Sequence, residues 1–113
     1  MITIYHNNRC SKSREGLCFL ENNKEPFTIR KYIDEPFTKE ELISVIKKLN
    51  TNPIALVRTK ETIWKENFAH KNLTDNEIID ALLQYPKLIE RPIVVKNNKA
   101  VIARPTEKIN EIL

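Results

Sequence analysis

Two capping boxes divide this chain. Thr38-Lys39-Glu40-Glu41 and Thr74-Asp75-Asn76-Glu77 each place a threonine three residues ahead of a glutamate. In that arrangement hydroxyl and carboxylate satisfy each other's backbone N–H groups at a helix start. After the first box, Leu42, Val45, Ile46 and Leu49 recur at helical spacing. After the second, Ile78, Ile79, Leu82 and Leu83 face inward, and the helix ends before Pro86. Between the boxes, Asn52-Pro53 opens a short helix carrying Leu56 and Val57 up to Arg58. Ile63, Trp64 and Phe68 mark a further turn or two. A helical block of about 38–86 follows, and everything with strand character falls outside it.

On the N-terminal side, residues 2–5 read as a strand and 6–11 as a polar turn. Residues 12–22 read as a helix with Ser13, Leu17 and Leu20 on one face, and 27–31, after the Glu25-Pro26 break, as a second strand. On the C-terminal side, 92–95 and 100–103 flank Asn97-Asn98, a hairpin turn because asparagine tolerates positive φ. Pro105 then opens a final helix with Ile109, Ile112 and Leu113 buried. The order is β-α-β, a helical block, then β-β-α. That layout is an α/β fold with a thioredoxin-like mixed sheet and a helical insertion between its halves. At 113 residues it forms one domain, 1–113.

No apolar run approaches the roughly 20 residues of a membrane span. Residues 1–5 lack the basic and long apolar regions of a signal peptide, so a cytoplasmic location is expected, with no membrane contact. The 19 Lys and Arg exceed the 15 Asp and Glu by a net charge of +4, which favours anionic partners. The basic residues are scattered in runs of two at most, so no nucleic-acid surface is expected.

The chemistry centres on Cys10. It lies between the first strand and the first helix, where free backbone N–H groups and the helix dipole favour a thiolate. Arg9, Lys12 and Arg14 surround it, and His6 is four residues upstream. A polar turn rich in cations is a poor home for a buried, inert thiol. Cys18 is the only other cysteine. Eight residues of helix put it roughly 12 Å away, beyond disulfide reach, and it reads as a structural helix residue. In Cys10-Ser11-Lys12-Ser13 a hydroxyl occupies the position where a C-x-x-C motif has its second thiol. An adduct on Cys10 therefore requires an external thiol to resolve it. Ser13 is placed either to donate a hydrogen bond to the Cys10 sulfur or to serve as an ordinary first-turn residue.

Arg58, Arg91 and Arg104 each close or precede an apolar element, the last two directly before Pro92 and Pro105. Singly they read as solvated surface arginines. Together their positions suggest, without deciding it, a shared oxyanion site, since the planar guanidinium fork binds tetrahedral anions. The single glycine, Gly16, excludes the usual Gly-rich phosphate loops.

These residues resemble the glutaredoxin-dependent arsenate reductases. The resemblance is carried by His6-Asn7-Asn8-Arg9-Cys10-Ser11-Lys12-Ser13-Arg14, Leu56-Val57-Arg58-Thr59-Lys60-Glu61, Ile89-Glu90-Arg91-Pro92-Ile93-Val94-Val95 and Ala103-Arg104-Pro105, and runs in register from Ile2 to Leu113. It implies that Cys10 attacks arsenate while Arg58, Arg91 and Arg104 hold the oxyanion and the product. It also implies that glutathione, a co-substrate rather than a bound cofactor, releases the adduct, and that glutaredoxin completes reduction to arsenite. No metal is implied. It implies further a cis Arg91-Pro92 bond and support from His6, Ser13 and Arg14, with His6 helping to lower the Cys10 pKa. From the residues alone, His6 is equally a polar cap on the first strand. Asn8 departs from the family, which has proline there; a somewhat looser loop is expected, with the chemistry retained.

Two other readings compete. A regulator resembling Spx shares the fold and binds RNA polymerase, but such proteins carry the C-x-x-C switch that Ser13 interrupts. A related thiol enzyme acting on another electrophile, such as a glutathione mixed disulfide, would have less use for three arginines.

Overall fold

A computed structural model describes residues 1–113. The chain divides into two compact units, one built from Met1–Glu35 with Arg91–Leu113 and the other from Pro36–Glu90.

The first unit holds the whole sheet. Strand β1 (Ile2–His6) leads through a turn into helix α1 (Ser11–Glu21), then β2 (Phe27–Lys31); β3 (Ile93–Lys96) and β4 (Lys99–Ile102) follow after the second unit. The strand order is β2-β1-β3-β4. β1 runs parallel to β2 and antiparallel to β3, and β3 and β4 form an antiparallel hairpin. This is the thioredoxin-like mixed sheet expected from the sequence. Ile2 and Ile4 alternate inward on β1 and pack with Leu20 of α1, Val94, Val101, Ala103, Ile109 and Ile112. The hairpin turns at Asn97, whose φ of 56° supplies the left-handed residue; only one of the two asparagines adopts it. Ion pairing of Lys96 Nζ with Glu25 at 2.9 Å ties β3 to the segment before β2.

Helix α1 buries Ser13, Gly16 and Leu20, while Leu17 is only half buried. Gly16 takes the third inward position because Pro92 is too close for anything larger: a Cβ there would lie 2.7 Å from Pro92 Cγ. The C-terminal segment differs from expectation. Thr106–Glu111 is a 3-10 helix rather than an α-helix, and it buries Ile109 and Ile112 but leaves Leu113 40% exposed. The 3-10 spacing brings Ile109 and Ile112 to one side. Both Arg91-Pro92 and Arg104-Pro105 are cis; the sequence resemblance implied the first, and the second was not anticipated.

In the second unit, both capping boxes form. Glu41 N–H donates to Thr38 Oγ1 at 3.1 Å and Thr38 N–H to Glu41 Oε1 at 3.0 Å, opening α2 (Lys39–Leu49). Thr74 and Glu77 repeat the exchange at 2.9 and 3.2 Å, opening α4 (Asp75–Gln84) after the short α3 (Thr62–Asn67). Leu42, Val45 and Ile46 of α2 are buried, as are Ile78, Ile79 and Leu82 of α4, with Leu83 half buried. The Asn52-Pro53 segment is a 3-10 helix, Pro53–Leu56, and Val57 beyond it bridges to Ile89. Trp64 stacks on Phe68 at 5.4 Å, and Phe68 meets Tyr85 edge-on at 5.9 Å.

Candidate active site

The turn between β1 and α1 is built by its own polar atoms. Asn7 Oδ1 accepts from Arg9 N–H at 3.0 Å, and Asn7 carbonyl accepts from Cys10 N–H at 3.0 Å. Arg14 reaches back from α1 to donate to the Asn8 carbonyl at 3.2 Å. Asn8 thus sits in a loop braced on both sides, and Arg14 supports the site through this brace rather than through the sulfur.

Cys10 is the N-cap of α1, in extended conformation, with no side-chain cap on the helix. The first-turn N–H groups are therefore left open near the sulfur, and those of Lys12 and Ser13 favour its thiolate form. Burial pushes the Cys10 thiol up. Against it act a hydrogen bond from the Arg91 guanidinium, the N–H groups of Ser13 and Lys12, and the Arg91 charge, with the net result that the pKa falls from 9.0 to about 7.

Of the two placements open to Ser13, its hydroxyl does not take the one on the sulfur. The side chain is completely buried, and its hydroxyl faces the strand rather than the sulfur. Its Oγ lies 2.7 Å from His6 Nδ1 and accepts from Asn7 N–H at 2.9 Å. It is the backbone N–H of Ser13 that reaches the thiolate. His6 is 3% exposed and its pKa is lowered, first by burial and then by the Lys31 charge, with Ser13 opposing and Arg14 adding a smaller push. His6 is accordingly a neutral ring that fixes Ser13 and contributes no cation to the sulfur.

Arg91 and Arg104 converge on Cys10. Arg104 Nη2 donates to Cys10 Sγ at 3.7 Å, and its Nε donates to the Arg91 carbonyl at 2.8 Å. The Arg91 guanidinium acts on the sulfur; burial lowers its pKa, and the Cys10 sulfur and the Tyr32 side chain more than compensate. Tyr32 is the residue that sequence reasoning missed. It directly follows β2, and no motif marks it. Arg58 belongs to the 36–90 unit. There its N–H donates to the Leu88 carbonyl at 2.7 Å, and its Nη2 lies 3.9 Å from Glu61 Oε2. Its Nη1 is buried without a hydrogen-bond partner.

Both cysteines are free thiols, and Cys18 is exposed rather than packed, with Asn22 Nδ2 3.7 Å from its sulfur. No group of three or more His, Cys, Asp or Glu side chains is placed to hold a metal ion. No helix is long and apolar enough to cross a membrane.

Comparison with known proteins places this geometry. Residues 5–112 match the ArsC family. The chain is 45% identical to the uncharacterized protein YfgD of Escherichia coli, over 99% of this chain and 96% of that one. It is 40% identical to the arsenate reductase of Haemophilus influenzae, over 99% and 98% respectively. Among solved structures, the arsenate reductase from Vibrio cholerae superposes with a TM-score of 0.93 at 43% identity, covering 99% of this chain and 97% of that one.

Proposed function

The chain belongs to the ArsC family, and on that footing we propose that it is an arsenate reductase in which Cys10 is the nucleophile. The observation that carries this reading is the Cys10 sulfur held at the start of α1 by Arg91 and Arg104. With a pKa of about 7, the thiol is ionised in a substantial fraction of molecules at neutral pH. Arsenate is a dianion there, so a thiolate can approach it only where positive charge is concentrated. The two guanidiniums and the N–H groups at the helix start supply that charge.

The reaction divides into an addition and a thiol-dependent release. The Cys10 sulfur forms a bond to arsenic as one arsenic–oxygen bond breaks, the oxygen leaving as water after protonation. Arg91 and Arg104 bind the remaining oxygens. Ser13 occupies the place of an internal resolving thiol, so release falls to an external one. Glutathione attacks the adduct, and glutaredoxin completes the transfer. Two electrons reduce arsenate to arsenite as two thiols become a disulfide.

Kinetics of two variants separate this substrate from a disulfide. Cys10→Ser abolishes arsenate reduction, and Arg91→Ala lowers kcat/KM for arsenate about 100-fold. Exchange with a glutathione mixed disulfide, tested in parallel, depends on Cys10 and far less on Arg91. If arsenate reduction tolerates Arg91→Ala, the oxyanion reading is wrong.

A further inference from the structure

Cys10 is delivered to the start of α1 by a β-turn. Its N–H donates to the Asn7 carbonyl at 3.0 Å, the bond that closes Asn7-Asn8-Arg9-Cys10 into such a turn. On the other side, its carbonyl accepts from Arg14 N–H at 3.0 Å, the first bond of the helix. The Cys10 backbone is bonded both ways, so the shape of the turn sets where the sulfur lies. The turn is also tied to the helix, since Asn7 N–H donates to Ser13 Oγ at 2.9 Å.

Turns commonly take their shape from proline or glycine, and this one contains neither. Neither Asn8 nor Arg9 has a positive φ, which excludes the mirror-image turn types. Both residues are exposed, so packing does not hold them. Their shared peptide is gripped at its two ends instead. Arg14 donates to its oxygen, the Asn8 carbonyl, at 3.2 Å. Asn7 Oδ1 accepts from its nitrogen, the Arg9 N–H, at 3.0 Å. That second grip is why asparagine suits the first position of a turn: its side chain takes the N–H two residues on.

We propose that Asn7 is a positioning residue for Cys10, its side-chain oxygen fixing the turn that carries the sulfur to the start of α1 and to Arg104. It acts through the turn backbone. The proposal deepens the reading of Cys10 as the nucleophile and rests on it. Arg14 keeps its end of the peptide when the Asn7 side chain is removed, so the loss is partial. Proline at the second position of a turn supplies an equivalent restraint by fixing φ. Asn8 occupies that position, and the carbonyl that Arg14 uses is one that proline retains.

The test is a rescue experiment in a Cys18→Ser background, which leaves Cys10 as the only thiol to react. Iodoacetamide alkylation across the neutral pH range reads the Cys10 titration midpoint, and steady-state reduction reads kcat/KM for arsenate. Asn7→Ala is expected to raise the midpoint by about half a unit and to lower kcat/KM about 3- to 10-fold. Asn7→Ser, whose hydroxyl accepts the same bond more weakly, is expected to fall between. Asn8→Pro alone should change neither reading, and added to Asn7→Ala it should return both at least halfway. The proposal is overturned if Asn7→Ala leaves both readings unchanged. It is equally overturned if Asn8→Pro restores nothing, the result for a side chain acting directly on the sulfur or the substrate. An Asn7→Ala protein that no longer folds makes the side chain a stability element and also counts against it. The alkylation arm uses no arsenate, so a rescued midpoint in a protein inactive on arsenate upholds the role of Asn7 while the substrate assignment fails.

Discussion

At the scale of single residues, the activation of Cys10 is a contest that its neighbours win. Burial disfavours the thiolate, and Arg91 with two backbone N–H groups more than reverses it. Alkylation of Cys10 is therefore expected to rise with pH through a midpoint near 7, measured by mass spectrometry of the Cys10 peptide. A midpoint at the ordinary thiol value of 9.0 contradicts the bonding described. His6 makes the opposite trade, being buried as a neutral ring. Its pKa in the folded protein lies below the unfolded value of 6.5, so over that window the unfolded chain binds more protons. Stability is thus fully present above 6.5 and falls with pH from there towards the folded pKa. Chemical denaturation between about pH 7 and 5 should show this loss, and His6→Asn should flatten part of the slope. A slope identical in both proteins removes the buried neutral histidine from the account.

At the scale of elements, what the sequence made legible is what local chemistry determines. Thr38-x-x-Glu41 and Thr74-x-x-Glu77 predicted two helix starts, and both form with reciprocal bonds. Thr38→Ala and Thr74→Ala should each cost about 1 kcal/mol of stability, read as a lowered urea midpoint with an unchanged slope. Threonine caps that proved dispensable would mean that packing alone places these helices. The turn at Cys10 was equally legible as a polar stretch between a strand and a helix. Ser13 shows where such reading stops. Its spacing from Cys10 was plain, but whether its hydroxyl turned to the sulfur or the strand depended on the buried His6. The segment after Pro105 shows a second limit, because apolar spacing over so few residues does not distinguish a 3-10 helix from an α-helix. Tyr32 had no local signal at all. Its effect on Arg91, 59 positions later in the chain, depends on tertiary structure that no local pattern encodes.

At the scale of the whole molecule, the proposed site has a nucleophile and an oxyanion clamp but no second thiol beside Cys10. Ser13 stands at the C-x-x-C position, and Cys18 lies exposed two turns along α1. A catalytic cycle on this chain must draw its electrons from outside, which is why glutathione and glutaredoxin belong to the proposed reaction and a self-contained thiol switch does not. The most direct test follows NADPH oxidation coupled through glutathione reductase, with the purified protein, glutathione, glutaredoxin and arsenate. The account expects arsenate-dependent oxidation that disappears with Cys10→Ser; absence of turnover in the unmodified protein, or turnover that survives Cys10→Ser, would contradict it.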